Sequence, residues 1–255
     1  TAVVRCVGGT AVGESIEVPL PSSVERPTRH VVEATEGELS ASWPVWLLPP
    51  CAPVTDGLES PWPAPDAGAT GWPEGGVRVV EQLDAETLDH MEAGGHVLMR
   101  VTGAKHAFRS AGLWYLRGAP FAPPHPLHER VPARMLLELQ AFDLDAGRVM
   151  PWELLADEVD PILAFWETHD ISEVRASLFA LGERVGEGRL LVHCFDASPG
   201  SGTDAGRWVE AELVRHLALG PAPERALSAE TRAALRALLA ERKLDLPVWR
   251  FRTDP

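Results

Sequence analysis

Ala176-Ser-Leu-Phe-Ala-Leu-Gly-Glu-Arg-Val185, Gly186-Glu-Gly188 and Arg189-Leu-Leu-Val-His-Cys-Phe195, together with the segment from Asp196 to Leu219, decide the fold class of this chain. The first run is rich in apolar and β-forming residues and stops at a Gly-Glu-Gly turn. The second is a nearly continuous apolar run of strand length. Two such runs across so short a turn predict an antiparallel hairpin. The second strand has few polar residues and is expected to be buried on both faces, as strands of α/β sheets are. Asp196-Ala-Ser-Pro-Gly-Ser-Gly-Thr203 is a turn cluster. From Asp204 to Leu219, Trp208, Ala211, Glu212, Val214, Arg215 and Leu219 are spaced to leave one face of a helix apolar. Strand, Gly-rich loop and amphipathic helix form a βα unit, so the chain reads as an α/β sheet domain.

The chain has 255 residues, 45% hydrophobic and 24% charged, enough to bury a full core. Its net charge of −14 and the lack of any basic run argue against a nucleic-acid partner. No apolar stretch approaches the ~20 residues of a membrane span, and Thr1 onward lacks a signal-peptide pattern. Cys6, Cys51 and Cys194 are too few and too odd in number for a disulfide framework, and lack metal-ligand spacing. The compartment stays open.

Residues 1–49 read as a β segment, with runs at Val3–Val7, Ser15–Leu20, Arg29–Ala34 and Trp43–Leu48. Such strands are marginal alone. They are read either as the end of a β-sandwich or as strands added to the next domain. Residues 50–76 form a Pro-rich linker, and residues 77–255 the α/β domain. Val77–Val80 opens that domain. Asp84 is the expected cap of a helix carrying Leu88 and Met91 and ending at Gly94-Gly95, and His96–Val101 is the next buried strand. Together they predict a parallel βαβ unit. A short helix is expected at Arg134–Gln140, a strand at Pro161–Trp166 and a last helix from Ser228 through Leu239.

The order of these signals resembles the non-catalytic C-terminal region of some glycoside hydrolase family 2 chains, the β-galactosidase-like group. Ala41-Ser-Trp-Pro-Val-Trp-Leu-Leu-Pro49 is similar to the phrase that closes the β-domain there, with Ala41 where Asn is common. Gly94-Gly-His-Val-Leu98, Leu113-Trp114, His125-Pro-Leu127 through Val131-Pro132, Pro161-Ile162 and Val185 through Cys194 continue the resemblance. It spans roughly residues 38–219. It implies a flavodoxin-like, glutamine-amidotransferase-like sheet and a structural or substrate-shaping role beside the catalytic barrel of a parent glycosidase. Carbohydrate contact and self-association are further implied roles. A shortened segment near Trp152 departs from the family pattern, and these residues hold no barrel.

The residues themselves suggest several chemistries, each with a plainer reading. Cys194 precedes a Gly-rich turn, but a nucleophile elbow wants Gly-x-Cys-x-Gly, and His193 should point to the opposite strand face. Buried structural Cys is the simpler account, with a stand-alone amidotransferase-like hydrolase as the alternative. Gly200–Gly206 mimics a phosphate loop but has no Lys, and Asp196 and Asp204 would repel an anion. Thr203 or Asp204 as an N-cap explains it better. His106, His125 and His128 lack a completing carboxylate or Cys, so no metal or other cofactor is expected. Trp114, Tyr115, Trp152 and Trp166 could stack on sugar, while Trp208 belongs to the core. Trp114, His125 and Trp152 are therefore the candidate carbohydrate-binding residues, in this chain or as a free carbohydrate-binding module. Asp143/Asp145 and Asp157/Glu158 read as solvated surface acids rather than a glycosidase pair, so no catalytic residue is assigned.

Overall fold

The computed structural model describes residues 20–50, 76–81, 83–101, 109–110, 117–138, 148–151, 157–170, 173–197 and 203–241. In chain order the strands are β1 (Thr28–Glu36), β2 (Leu39–Leu47), β3 (Val77–Val80), β4 (His96–Arg100), β5 (Arg109–Ser110), β6 (Arg117–Phe121), β7 (Arg148–Pro151), β8 (Asp160–Asp170), β9 (Glu173–Val185) and β10 (Gly188–His193). The helices are α1 (Ala85–Glu92), α2 (Ala133–Leu137), α3 (Asp204–Leu219) and α4 (Ala229–Glu241), with a short 3-10 helix at Pro126–Glu129.

β9 and β10 pair antiparallel around Gly186-Glu187, where Gly186 takes φ 64°, a conformation glycine adopts without a Cβ penalty. A Cβ there would also approach Glu92 Cα to 2.9 Å. β3 and β4 are parallel and joined through α1, which is the expected βαβ unit. Asp84 caps α1 by accepting from Thr87 N at 2.9 Å and Thr87 Oγ1 at 2.7 Å. β10 lies parallel to β4, so the main path across the mixed sheet is β3-β4-β10-β9-β8-β6. β7 pairs with β9 at Ser177 and Leu178, beyond the reach of β10, and carries β5 on its other side.

α1 and α3 both pack on β4 and β10. A helix is ~10 Å wide and strands are ~4.8 Å apart, so two helices centred on the same strand pair must lie on opposite faces. α4 joins α1 on its face: Arg236 bonds Asp89 and Glu92 of α1, and Arg232 lies 3.7 Å from Glu92. The sheet is therefore covered on both sides over β4 and β10. Val97, Leu98, Met99, Leu190 and Val192 are fully buried, each contributing about 1.5–3 kcal/mol over an exposed site.

α3 is buried over more of its circumference than one apolar stripe requires, because residues 125–136 cover its outer side. Leu127, Val131, Met135 and Leu136 are buried there, and Arg130 Nε bonds Glu212 at 2.5 Å. Leu219, expected on the apolar face, is instead exposed at the helix end. α2 ends at Leu137, three residues before Gln140.

β1 and β2 form a separate antiparallel ribbon. Only its base is anchored among the described residues. Trp46 Nε1 donates to Glu138 Oε2 at 2.6 Å, and Arg29 Nε reaches the same carboxylate at 2.8 and 3.1 Å. Arg134 Nε adds a bond of 2.9 Å. Burial would raise the Glu138 carboxyl, but these three donors outweigh it and hold it below the usual range. Leu39, Val31 and Trp43, farther along the ribbon, are exposed.

Candidate functional site

In open α/β sheets ligands gather at the carboxyl ends of the parallel strands, so the ends of β4 and β10 are the first place to look. The last residue of each strand is polar: Arg100 and His193 are register partners, and both are fully buried. The reason is Glu210 on α3. Arg100 Nε and Nη2 donate to its two oxygens at 2.7 and 2.6 Å, a two-pronged pair. His193 Nε2 comes within 3.0 Å of Oε2, near enough to add its field though off hydrogen-bond alignment. Phe195 N donates to His193 Nδ1 at 3.2 Å, which leaves the ring proton on Nε2, facing the carboxylate.

Burial pushes the Glu210 carboxyl up, and the contacts of Arg100 and His193 more than reverse this, so it stays below the usual carboxylate range. The cluster is electrically closed. An incoming anion would have to displace Glu210 from Arg100.

Cys194 adjoins His193 in the chain and is fully buried. Its N–H donates to Phe179 O at 2.8 Å, extending the β9–β10 ladder by one residue and turning its side chain away from the face that carries His193. Thr203 caps α3 by accepting from Gly206 N at 2.9 Å, which is the capping role read from the Gly-rich loop. Residues 198–202 of that loop lie outside the described residues, as do His106, Trp114, Tyr115, Asp143, Asp145 and Trp152. Trp208 is core. Trp166 stacks on Phe121 with ring centroids 5.5 Å apart and remains 43% exposed. Glu158 does more than face solvent: it accepts from Ser228 N at 3.4 Å and Thr231 Oγ1 at 3.1 Å, holding the first turn of α4.

His125 is half-buried. Its Nδ1 accepts from Leu127 N at 3.2 Å, starting the 3-10 helix. Its ring lies 5.2 Å from His216 and 6.1 Å from His128, centroid to centroid. Burial, then the His216 and His128 fields, push His125 down to about 3. His216 falls to about 4 through burial, Arg189 and His128, and His96 to about 4 through burial and Arg189. All three are neutral at pH 7. The cleft that His125 and His216 line with Arg189 and Leu217 has room for about one water, too little for a sugar ring. Arg189 Nη1 is engaged with Gly220 O at 2.7 Å, at the end of α3.

Among the described residues, no group of three or more His, Cys, Asp or Glu side chains is arranged to hold a metal ion. Among the same residues, no helix is long and apolar enough to cross a membrane. No protein-family model matches the chain, and no curated protein matches it.

The Arg100–His193–Glu210 cluster escaped the sequence reading. Two faint signals point to it: an Arg ending the apolar run His96-Val-Leu-Met-Arg100, and a Glu between Val209 and Ala211 on a helix that is otherwise apolar there.

Proposed function

We propose that this chain is an accessory, non-catalytic region of a β-galactosidase-like glycoside hydrolase, flavodoxin-like or glutamine-amidotransferase-like in its α/β part. Its role is structural: it packs beside a catalytic barrel of the same parent protein or shapes a subsite there. The glycosidase context rests on the resemblance running from Ala41 to Cys194. The non-catalytic role rests on one observation above all. At the strand-to-helix corner where an amidotransferase would hold its nucleophile, Cys194 is fully buried, and the neighbouring Arg100 is bound to Glu210. A nucleophilic thiol needs access and a field that lowers its pKa. The β3-β4-β10 parallel core and its helices suit the flavodoxin-like reading, while β9, β8 and β6 run in the mixed pattern of an elaborated edge.

Iodoacetamide at neutral pH tests the non-catalytic role. Native Cys194 should stay unmodified over a time in which the urea-unfolded chain reacts to completion. Rapid labelling of the native protein would restore the amidotransferase-like alternative. The parent context is tested by the gene: the reading frame before Thr1 should encode a barrel with paired acids.

A further inference from the structure

Glu183 is a buried acid that the corner does not use. It is fully buried, and neither carboxyl oxygen has a hydrogen-bond partner among the described residues. A polar group in that position is costly if neutral and far more so if charged. Its place in the sheet says what lies over it. Ala180, the register partner of His193, marks the β9 face beneath α3, and Glu183, three residues on, points to the other face. That is the face covered by α1 and α4.

The edge of β9 beside it is closed by a strap leading into α4: Arg184 N donates to Arg225 O at 3.0 Å, and Leu227 N donates to Arg184 O at 2.9 Å. Burial and the negative field of Glu158 raise the Glu183 carboxyl well above its ordinary value, and Glu158 also holds the first turn of α4. The same few residues therefore seat the helix and keep the acid dry.

We propose that Glu183 is a proton-dependent latch: α4 and the strap before it stay docked while the buried carboxyl holds its proton, and undock when that proton leaves to solvent. The charged groups on the elements packed around it do not offer it a counter-charge. The start of β8 and the segment before it bring Asp160 and Glu158, and Asp160 already faces Arg225 at 3.7 Å. α4 brings Arg236, bonded to Asp89 and Glu92 of α1, and Arg232, whose Nη1 lies 3.7 Å from Glu92 and whose buried Nε has no hydrogen-bond partner among the described residues, so it reaches neither oxygen of Glu183. β10 brings only Leu190 and Val192 at this height. Ionisation is therefore relieved by opening: water reaches both oxygens only when the strap and helix lift.

Hydrogen exchange on the full chain between pH 5 and 9 tests this, with each amide corrected for its intrinsic rate. Protection of residues 227–241 should fall about tenfold per pH unit from above the ordinary carboxyl value of 4.5 up to the raised one, because opening releases one proton. α3 amides serve as the internal control and should lose no protection as the pH rises, their own decline lying below pH 6.5 where the histidines of that face begin to charge. Glu183→Gln should flatten the α4 profile, and Glu183→Met provides the same reading should the amide variant fold poorly. The latch is overturned if α4 protection tracks α3 at every pH, if it rises with pH because Arg232 swings in to pair the acid, or if the slope survives both substitutions.

Discussion

Glu210 on α3 and Glu183 on β9 are buried to nearly the same depth, 1% and 0% exposed, on opposite faces of one sheet. One is held ionised below the usual carboxylate range, and the other is held protonated well above it. Burial acts in the same direction on both, favouring the neutral acid. What separates them is a guanidinium: Arg100 meets Glu210 with two hydrogen bonds, and among the described residues no cation bonds Glu183. In this molecule the partner, not the depth, decides whether a core carboxyl carries charge. The face under α3 is consequently a charge-paired structural joint, whereas the face under α4 answers to a rise in pH.

Breaking the joint should give the largest effect. Arg100→Met leaves Glu210 buried without its counter-charge and should cost about 3–5 kcal/mol in urea unfolding. The double variant Arg100→Met/Glu210→Leu should recover most of that loss, because an apolar pair of similar volume is often neutral or stabilising. A double variant no better than the single one would mean that shape, not charge, holds the joint.

The opposite face should behave in the opposite way. Glu183→Met should raise stability by about 1–3 kcal/mol at pH 8 and by less at pH 5. Linkage sets the sign. An acid whose folded value is raised keeps its full stability below the unfolded value of 4.5, and loses it as pH climbs toward the folded value. Equal gains at both pH values would show that packing, rather than ionisation, is responsible.

The smallest effect sharpens the comparison from the acid side. His125, His216 and His96 have folded values of about 3, 4 and 4, below the ordinary 6.5. Their contribution is complete above 6.5 and declines as pH falls toward 4, so the α3 face should weaken in acid while the Glu183 face does not. Thermal melts of His216→Gln against the parent should converge between pH 6.5 and 4. A constant gap would remove the histidines from the acid response.

Much of the framework is legible from local pattern. The Gly-Glu-Gly turn, the Asp84 and Thr203 caps and the apolar run of β10 each act within a few residues, and each appears where its chemistry requires. The candidate site is less legible. His125, a candidate carbohydrate contact in the sequence reading, starts a 3-10 helix and packs on His216, ninety-one positions away along the chain, a contact that neither neighbourhood announces. Arg100 and Glu210 are 110 residues apart, and nothing in either neighbourhood announces the other.

The hairpin, the first βαβ unit and the Asp84 and Thr203 caps were determined by the sequence alone, because turn geometry and hydrophobic periodicity are properties of adjacent residues, whereas β5, β6 and β7 carry no such local signal. Which carboxyl is ionised, which thiol is sealed and which helix can lift were decided only in the tertiary structure. Solvation and charge pairing depend on what packs across space, and for Glu183 and Glu210 that is supplied by elements far away in the chain.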